Sequence, residues 1–200
     1  MTGPSPSATV SAPVLEGPRL RLRPLGPDDV GSAYVRWLND REVTRYLESG
    51  REPVTEADLH RYLERFAGSR TDFIFAIVER DRGRHIGNVT LNHVDAAART
   101  ADTGLMIGER SAWGRGYATE AWALLLDWAF RAHGPLAIQA GACAGNVASV
   151  KALLRLGFRL ENVVPDACRV DGARMDALRF TLSAEDFDRA GAVFVRGHPS

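Results

Sequence analysis

Cysteine is scarce. Cys143 and Cys168 are the two in the chain, and neither sits in metal-ligand spacing. No zinc ribbon or finger can be built from them. A disulfide framework is not expected either; plain packing in a reducing compartment is. Charge of one sign is also missing. The chain has 25 basic and 25 acidic residues and a formal net charge of zero, which argues against a broad electrostatic nucleic-acid binder. No apolar run approaches the ~20 residues that cross a bilayer. Met1 to Pro13 have no basic start followed by an apolar core, so no signal peptide is read. Rich in Pro, Ser, Thr and Ala, they are expected to form a disordered tail over residues 1–14. A cytoplasmic protein without a nucleic-acid or membrane partner follows. Familiar catalytic patterns are absent as well. There is no His-Glu-x-x-His, no Ser-His-Asp set, no nucleophilic-cysteine context and no P-loop lysine.

What is present is an ordinary globular composition, 45% hydrophobic and 25% charged over 200 residues, enough for one domain. The chain is organised around Gly104 to Ala121. A short apolar run reads as a strand, Trp113-Gly114-Arg115-Gly116 as a turn, and Ala118 to Phe130 as a helix with apolar positions at 118, 121, 122, 125, 126 and 129. A glycine turn opening a helix lets the backbone approach an anion, and the first helical N–H groups point at it. The same glycines could also serve turn geometry alone. Thr119 stands where the dinucleotide fingerprint needs a third glycine, which removes that reading.

The remaining elements follow from periodicity. Arg19 to Arg23 alternates as a half-exposed strand, with Pro24 and Pro27 ending it and Asp28 as the expected cap of the next helix. Val30, Ala33, Tyr34, Trp37 and Leu38 form one helical stripe. Thr55 and Asp58 make a capping box for a second helix carrying Leu59, Tyr62, Leu63 and Phe66. Phe73–Glu79 and His85–Val94 read as a hairpin, with Gly87 marking a bulge or a close backbone approach. After a turn over Asp95 to Thr100 come Thr103–Gly108, the central helix, and Leu136–Ala142 as a buried strand. Asn146 caps a helix with Val147, Val150, Leu153 and Leu154 as its apolar positions, and Gly157 ends it. Val163 and Val164 suggest a strand edge, Asp171-Gly172 a tight turn, and Arg174–Leu182 the returning strand. Ser183 caps a short final helix, and the Gly197-His-Pro-Ser end reads as loose. The fold class is α+β with a mostly antiparallel sheet.

The string Trp113-Gly-Arg-Gly-Tyr-Ala-Thr-Glu-Ala121 resembles the acetyl-CoA pyrophosphate loop of the GNAT N-acetyltransferases, in the branch that holds ribosomal-protein N-terminal and amino-sugar acetyltransferases. Ser111 stands where that superfamily usually has Gln or Arg. Asn146-Val-Ala-Ser149 through Leu156-Gly-Phe158 is similar to a second motif of the branch. The resemblance covers residues 15–182, with 183–200 as a C-terminal helix and tail. It implies a GNAT-like sheet whose fourth and fifth strands splay, and acetyl-CoA as co-substrate. Backbone groups of Leu105, Met106 and Ile107 would hold the thioester end. Gly114, Arg115, Gly116, Tyr117, Ala118 and Thr119 would hold the pyrophosphate, and Asn146 the pantetheine arm.

For the chemistry, the resemblance implies direct attack of an amine on the thioester. Leu153 stands where many GNAT enzymes carry a tyrosine acid. Ser149 is therefore the expected proton donor to the departing thiolate; its other reading is to satisfy backbone groups of the first helical turn. Asp102 matches an acidic position of the branch and is the expected base, acting through water. Glu109 and Glu120 are alternatives, Glu120 also having a structural use in the first helical turn. His93 could be a base but reads rather as a core histidine.

The segment Trp37-Leu-Asn-Asp-Arg-Glu-Val-Thr-Arg-Tyr46 resembles the acceptor wall of the branch. Trp37, Asn39, Arg45 and Tyr46 are the acceptor-binding candidates, with Asn88 and Asn92 on one face of their strand. The acceptor implied is a primary amine, either a small molecule or a peptide N-terminus, and the strings favour a nucleotide-linked amino sugar. A protein N-terminus, a polyamine or an antibiotic amine are the other acceptors. A non-catalytic acyl-CoA-binding module is the reading from a different class; the retained loop glycines and acidic residues favour an enzyme. A monomer or homodimer is expected.

Overall fold

The computed structural model describes residues 12–47, 52–134 and 136–196. Most of the expected tail and the Gly197–Ser200 end lie outside the described residues. Eight strands form one sheet: β1 (Leu15–Glu16), β2 (Leu20–Pro24), β3 (Phe73–Glu79), β4 (His85–Asp95), β5 (Thr100–Ile107), β6 (Ala137–Cys143), β7 (Arg159–Val170) and β8 (Ala173–Leu182). Their spatial order is β1-β2-β3-β4-β5-β6-β8-β7. Every pairing is antiparallel except β5 with β6. The helices are α1 (Ser32–Asn39), α2 (Arg41–Thr44), α3 (Glu56–Glu64), α4 (Tyr117–His133), α5 (Val147–Arg155), α6 (Ala184–Ala190) and α7 (Val193–Arg196).

Helices cover both faces, and this explains β3. Phe73, Phe75 and Ile77 point to the α4 side, while Ile74, Ala76 and Val78 pack with α1 and α3. A strand buried on both faces reads as a continuous apolar run rather than an alternating one. The stripe Val30, Ala33, Tyr34, Trp37 and Leu38 faces the second of these cores. The Thr55–Asp58 capping box forms, with Asp58 Oδ2 accepting from Thr55 N at 3.0 Å. Asp171 and Gly172 both adopt positive φ, as a two-residue hairpin turn of the primed type demands. Gly87 lies where a Cβ would come within 2.1 Å of the Met106 carbonyl oxygen, the close approach its place in a strand suggests.

Several expectations are corrected. Asp28 does not cap α1; it lies in a 3-10 turn, Pro27–Asp29, and Gly31 stands at the cap. The strand expected at Thr103–Gly108 is β5, and it begins at Thr100, inside the expected turn, and ends at Ile107. Val163 and Val164 belong to a 12-residue edge strand. Val147 and Leu154 are exposed, whereas Leu153 is buried as expected, with Ala152 beside it and Val150 against the core. Cys143 and Cys168 form a disulfide, with Cα atoms 5.9 Å apart. The pair joins β6 to β7, where β7 shifts register between Val164 and Cys168. Such pairing depends on the packing of distant strands, and local spacing carries no signal for it.

Candidate active site

The β5–β6 pair ends at Thr103–Ala140. Beyond it β5 keeps pairing with β4 as far as Ile107, and β6 with β8 as far as Cys143. The two strands therefore diverge and leave a gap. Thr103 stands at the point of divergence, where its Oγ1 accepts from Trp122 Nε1 of α4 (3.1 Å) and donates to the Thr90 carbonyl (2.8 Å).

Strand alternation decides which backbone groups face the gap. Ala137 N donates to Arg99 O across to β6, whereas Gly108 N donates to Ile86 O on the β4 side. Odd-numbered positions of β5 thus present their peptide groups to β6 and even-numbered ones to β4. Leu105 and Ile107 face the gap, and the Ile107 carbonyl already accepts from Trp113 Nε1 at 2.8 Å. Met106 directs its peptide groups to Asn88 across the β4 pair. Of the three expected backbone ligands, the geometry leaves Leu105 and Ile107 able to bond a ligand in the gap.

The gap opens into a groove of about 420 Å³. Its walls include Leu105 to Ile107, Trp113, Gly114, Gly116 to Thr119, Asn146 and Ser149. Gly116 is the N-cap of α4 at φ 76°, and Gly114 has φ 72°. Gly116 offers no side-chain cap, and the first intrahelical bond runs from Glu120 N to Gly116 O. The N–H groups of Tyr117, Ala118 and Thr119 therefore have no helical partner and suit an anion. Arg115 is the one expected cofactor residue outside the lining; its carbonyl accepts from Arg19 Nη1 at 2.8 Å. Lys151 and Arg155 also line the groove. With Ala148 and Ala152 they occupy one face of α5, a spacing visible in the sequence though masked by its apolar positions.

Asn146 Oδ1 accepts from Ser149 N at 3.2 Å, which leaves its amide donors for a pantetheine carbonyl. The Ser149 hydroxyl lines the groove and makes no hydrogen bond among the described residues. Glu120, in contrast, is 4% exposed. Its carboxylate accepts from Arg19 N (2.8 Å), Leu20 N (3.0 Å) and Arg19 Nε (2.7 Å), a structural role rather than that of a base. Glu109 is bonded to Ser111, and those bonds hold its carboxyl below the usual range.

A second cavity, about 350 Å³, lies across β5 between α1, α3 and β4. It shares Leu47, Leu105 and Met106 with the groove. Its walls are mostly apolar, with Tyr34, Tyr62, Asn88, Thr90 and Asp58 as polar members. Of these, Asn88 is the one acceptor candidate of the sequence; Tyr34 and Tyr62 stand there in helical apolar stripes.

Other acceptor candidates go elsewhere. Trp37 is 3% exposed and packs against His85, with ring centroids 5.0 Å apart, so it belongs to the core. Asn39 clasps the chain at Val54, accepting from its N–H and donating to its carbonyl, and caps no cavity. Arg45 pairs with Asp171 at 2.8 Å. Tyr46 lines the cofactor groove rather than the second cavity. Asn88 and Asn92 do share a face; Asn92 donates to Thr90 Oγ1 at 3.0 Å, just beyond the lining. Asp102 is paired across the sheet with Asn92 and lies outside both cavities. It is half exposed and 3.3 Å from His93 Nδ1. His93 has a side chain 71% exposed and is not a core histidine. Thr90, Asn92, Asp102 and His93 instead form a polar strip from the cavity edge to the surface.

Comparison with known proteins gives concordant results. The family model described as "Acetyltransferase (GNAT) domain" matches residues 19–159. An N-acetyltransferase of Bacillus licheniformis, called p20, is 27% identical over 173 residues, covering 84% of this chain and 95% of that one. The crystal structure of a GCN5-related N-acetyltransferase from Brucella melitensis superposes with a TM-score of 0.75 at 22% identity, covering 93% and 85% of the two chains. Spermidine N-acetyltransferase from Vibrio cholerae, solved with CoA and spermine, gives a TM-score of 0.75 at 20% identity over 84% and 98%. At these identities the two structures speak for the fold. Since the match takes in the diverging strands and the glycine loop, the chain belongs to the GNAT acetyltransferase family and is an acetyl-CoA-dependent acyltransferase.

Proposed function

We propose that this enzyme moves the acetyl group of acetyl-CoA to a primary amine by direct attack, with the amine held in the cavity between α1, α3 and β4. The observation that carries this reading is that the cavity and the cofactor groove meet at Leu47, Leu105 and Met106. An amine on one side of β5 and a thioester on the other come together there. The Leu105 peptide groups and the Ile107 N–H bond the pantetheine and the carbonyl oxygen as it gains charge. The Tyr117 to Thr119 N–H groups take the pyrophosphate, and Lys151 and Arg155 supply positive charge to the phosphates.

The amine nitrogen forms a bond to the carbonyl carbon, and the C–S bond then breaks. Ser149 Oγ donates a hydrogen bond to the departing sulfur. The ammonium proton leaves by way of water along the Thr90–Asn92 strip, with Asp102 at its surface end. A nucleotide-linked amino sugar, favoured by the sequence strings, has less support: among the described residues no Arg, Lys or His lines the acceptor cavity, and Arg45 is engaged by Asp171. A polyamine would meet one carboxylate there, Asp58.

The test is thiol release from acetyl-CoA in the presence of amino sugars, peptides, polyamines and small monoamines. Amine-dependent release is expected. Acetyl-CoA binding without turnover on any amine would make the chain a non-catalytic acyl-CoA-binding module.

A further inference from the structure

His85 and Asn88 fix a hydrogen-bond donor at the acceptor cavity. His85 Nε2 lies 2.9 Å from the Gly87 carbonyl and 2.8 Å from Asn88 Oδ1. A carbonyl oxygen can only accept, so Nε2 carries the proton and donates. The Asn88 atom facing it must then be the oxygen, which turns Nδ2 the other way. Burial holds the His85 ring below its ordinary proton affinity and keeps it in this neutral form at pH 7. Asn88 is 5% exposed and lines the cavity, and among the described residues its Nδ2 has no partner in full hydrogen-bond geometry. The Tyr34 phenol lines the same cavity; burial opposes its ionisation, and the Asn88 side chain lies close enough to favour it. At most one of the two Nδ2 hydrogens is therefore directed at the phenol oxygen, and the other is left for a ligand.

A buried amide donor left without a partner is costly, and native proteins rarely retain one. The walls around it are Leu38, Leu47, Val54, Leu59 and Ile74. Building on the acetyltransfer reading, we infer that the acceptor is a monoamine with a compact apolar body and an uncharged acceptor oxygen near the amine, bound by Asn88 Nδ2. The oxygen completes the Asn88 amide, the apolar body fills the cavity, and the amine reaches the thioester at Leu105 and Met106. A carboxamide carbonyl, an ester carbonyl or a hydroxyl would serve. A second cationic group would find one carboxylate among the described wall residues, Asp58, already engaged by Thr55 and Arg61, which disfavours polyamines.

Leucinamide and 3-methylbutylamine are the probes, since they differ by the carboxamide. Amine basicity differs between them, so the measurement is the ratio of their kcat/KM values in the wild type divided by the same ratio in Asn88→Leu. Basicity cancels in that quotient. A quotient on the order of ten or more is expected, as when a site built to bond a polar group loses it. His85→Phe, which releases the amide orientation, should lower the ratio in the same direction while the acetyl-CoA dissociation constant stays unchanged. For wild-type protein alone, 4-methylpentanamide, which keeps the carbonyl and lacks the amine, should compete with leucinamide. A quotient near one in a folded Asn88→Leu variant overturns the inference while acetyltransfer survives. So does a lack of competition by 4-methylpentanamide. Absence of thiol release with every amine removes both.

Discussion

Arg19 and Glu120, 101 residues apart, form an ion pair at 2.7 Å that fastens the second strand to the first turn of α4. Arg19 also reaches the Arg115 carbonyl, and its guanidinium lies 4.8 Å from the centre of the Tyr117 ring. One side chain thus supports the glycine loop from beneath. Glu120→Ala would leave two backbone N–H groups and a guanidinium without their acceptor. A loss of about 3 kcal/mol is expected, chiefly from the two N–H groups left without an acceptor, since the guanidinium is half exposed and can turn to water. Urea unfolding with an unchanged m-value measures it.

Gly116→Val and Gly114→Val should weaken acetyl-CoA binding. A Cβ at Gly114 meets no protein atom within 4 Å, and one at Gly116 meets only Arg19 Nη2 at 3.6 Å. Protein contacts therefore do not demand glycine there. The positive φ does, at about 1–3 kcal/mol for a β-branched residue, and so does the close approach of a phosphate. Calorimetry on folded variants checks this; wild-type affinity in both would take the loop out of the binding site.

Ser149→Ala should lower kcat by roughly tenfold or more and change the acetyl-CoA KM little, if the hydroxyl acts only as sulfur departs. Asp102→Asn should flatten the rise of rate with pH without changing acetyl-CoA affinity. Steady-state kinetics from pH 6 to 9 on both variants decide the two roles separately.

The Cys143–Cys168 bond closes a loop with a sequence separation of 25. Cys168→Ala should reduce stability by about 3 kcal/mol through the entropy of the unfolded chain. The melting temperature of wild-type protein with and without reductant should show the same direction of change. An identical melting temperature in both conditions would mean that the bond does not form in solution.

His85 gives a pH dependence of stability. Burial depresses its folded-state pKa below the ordinary value of 6.5. An unfolded chain therefore takes up a proton first as pH falls. The contribution is complete above pH 6.5 and is lost as pH falls through the lowered folded value. Carboxylates such as Asp29, held low by its bonds with Arg23 and Gly26 against the cost of burial, lose theirs at lower pH. Melting temperature should begin to drop below about pH 6.5, and His85→Gln should make that drop smaller, leaving the share of His133, which burial depresses in the same direction.

Much of the cofactor side was legible because it is local. The turn glycines, the helix that follows and the Asn146 cap are all set by short-range backbone geometry, and their residues stand together in the groove. The acceptor side was not legible, because the same residue types serve packing and binding equally well. Tyr34 and Tyr62 looked like stripe residues and line the cavity. Trp37 and Asn39 looked like site residues; one is buried in the core and the other ties down a loop.

By itself the sequence determined most of the elements, the α+β class and the glycine turn that opens α4, since periodicity and capping depend on neighbours three or four residues away. Tertiary structure alone decided that β5 and β6 part after Thr103, that His85 turns the Asn88 amide toward the cavity, that Asp102 stands at the surface and that two cysteines 25 residues apart meet. Each of these depends on which strands become neighbours and in what register. That is fixed by burying both faces of the sheet at once, a condition that no local stretch of sequence expresses.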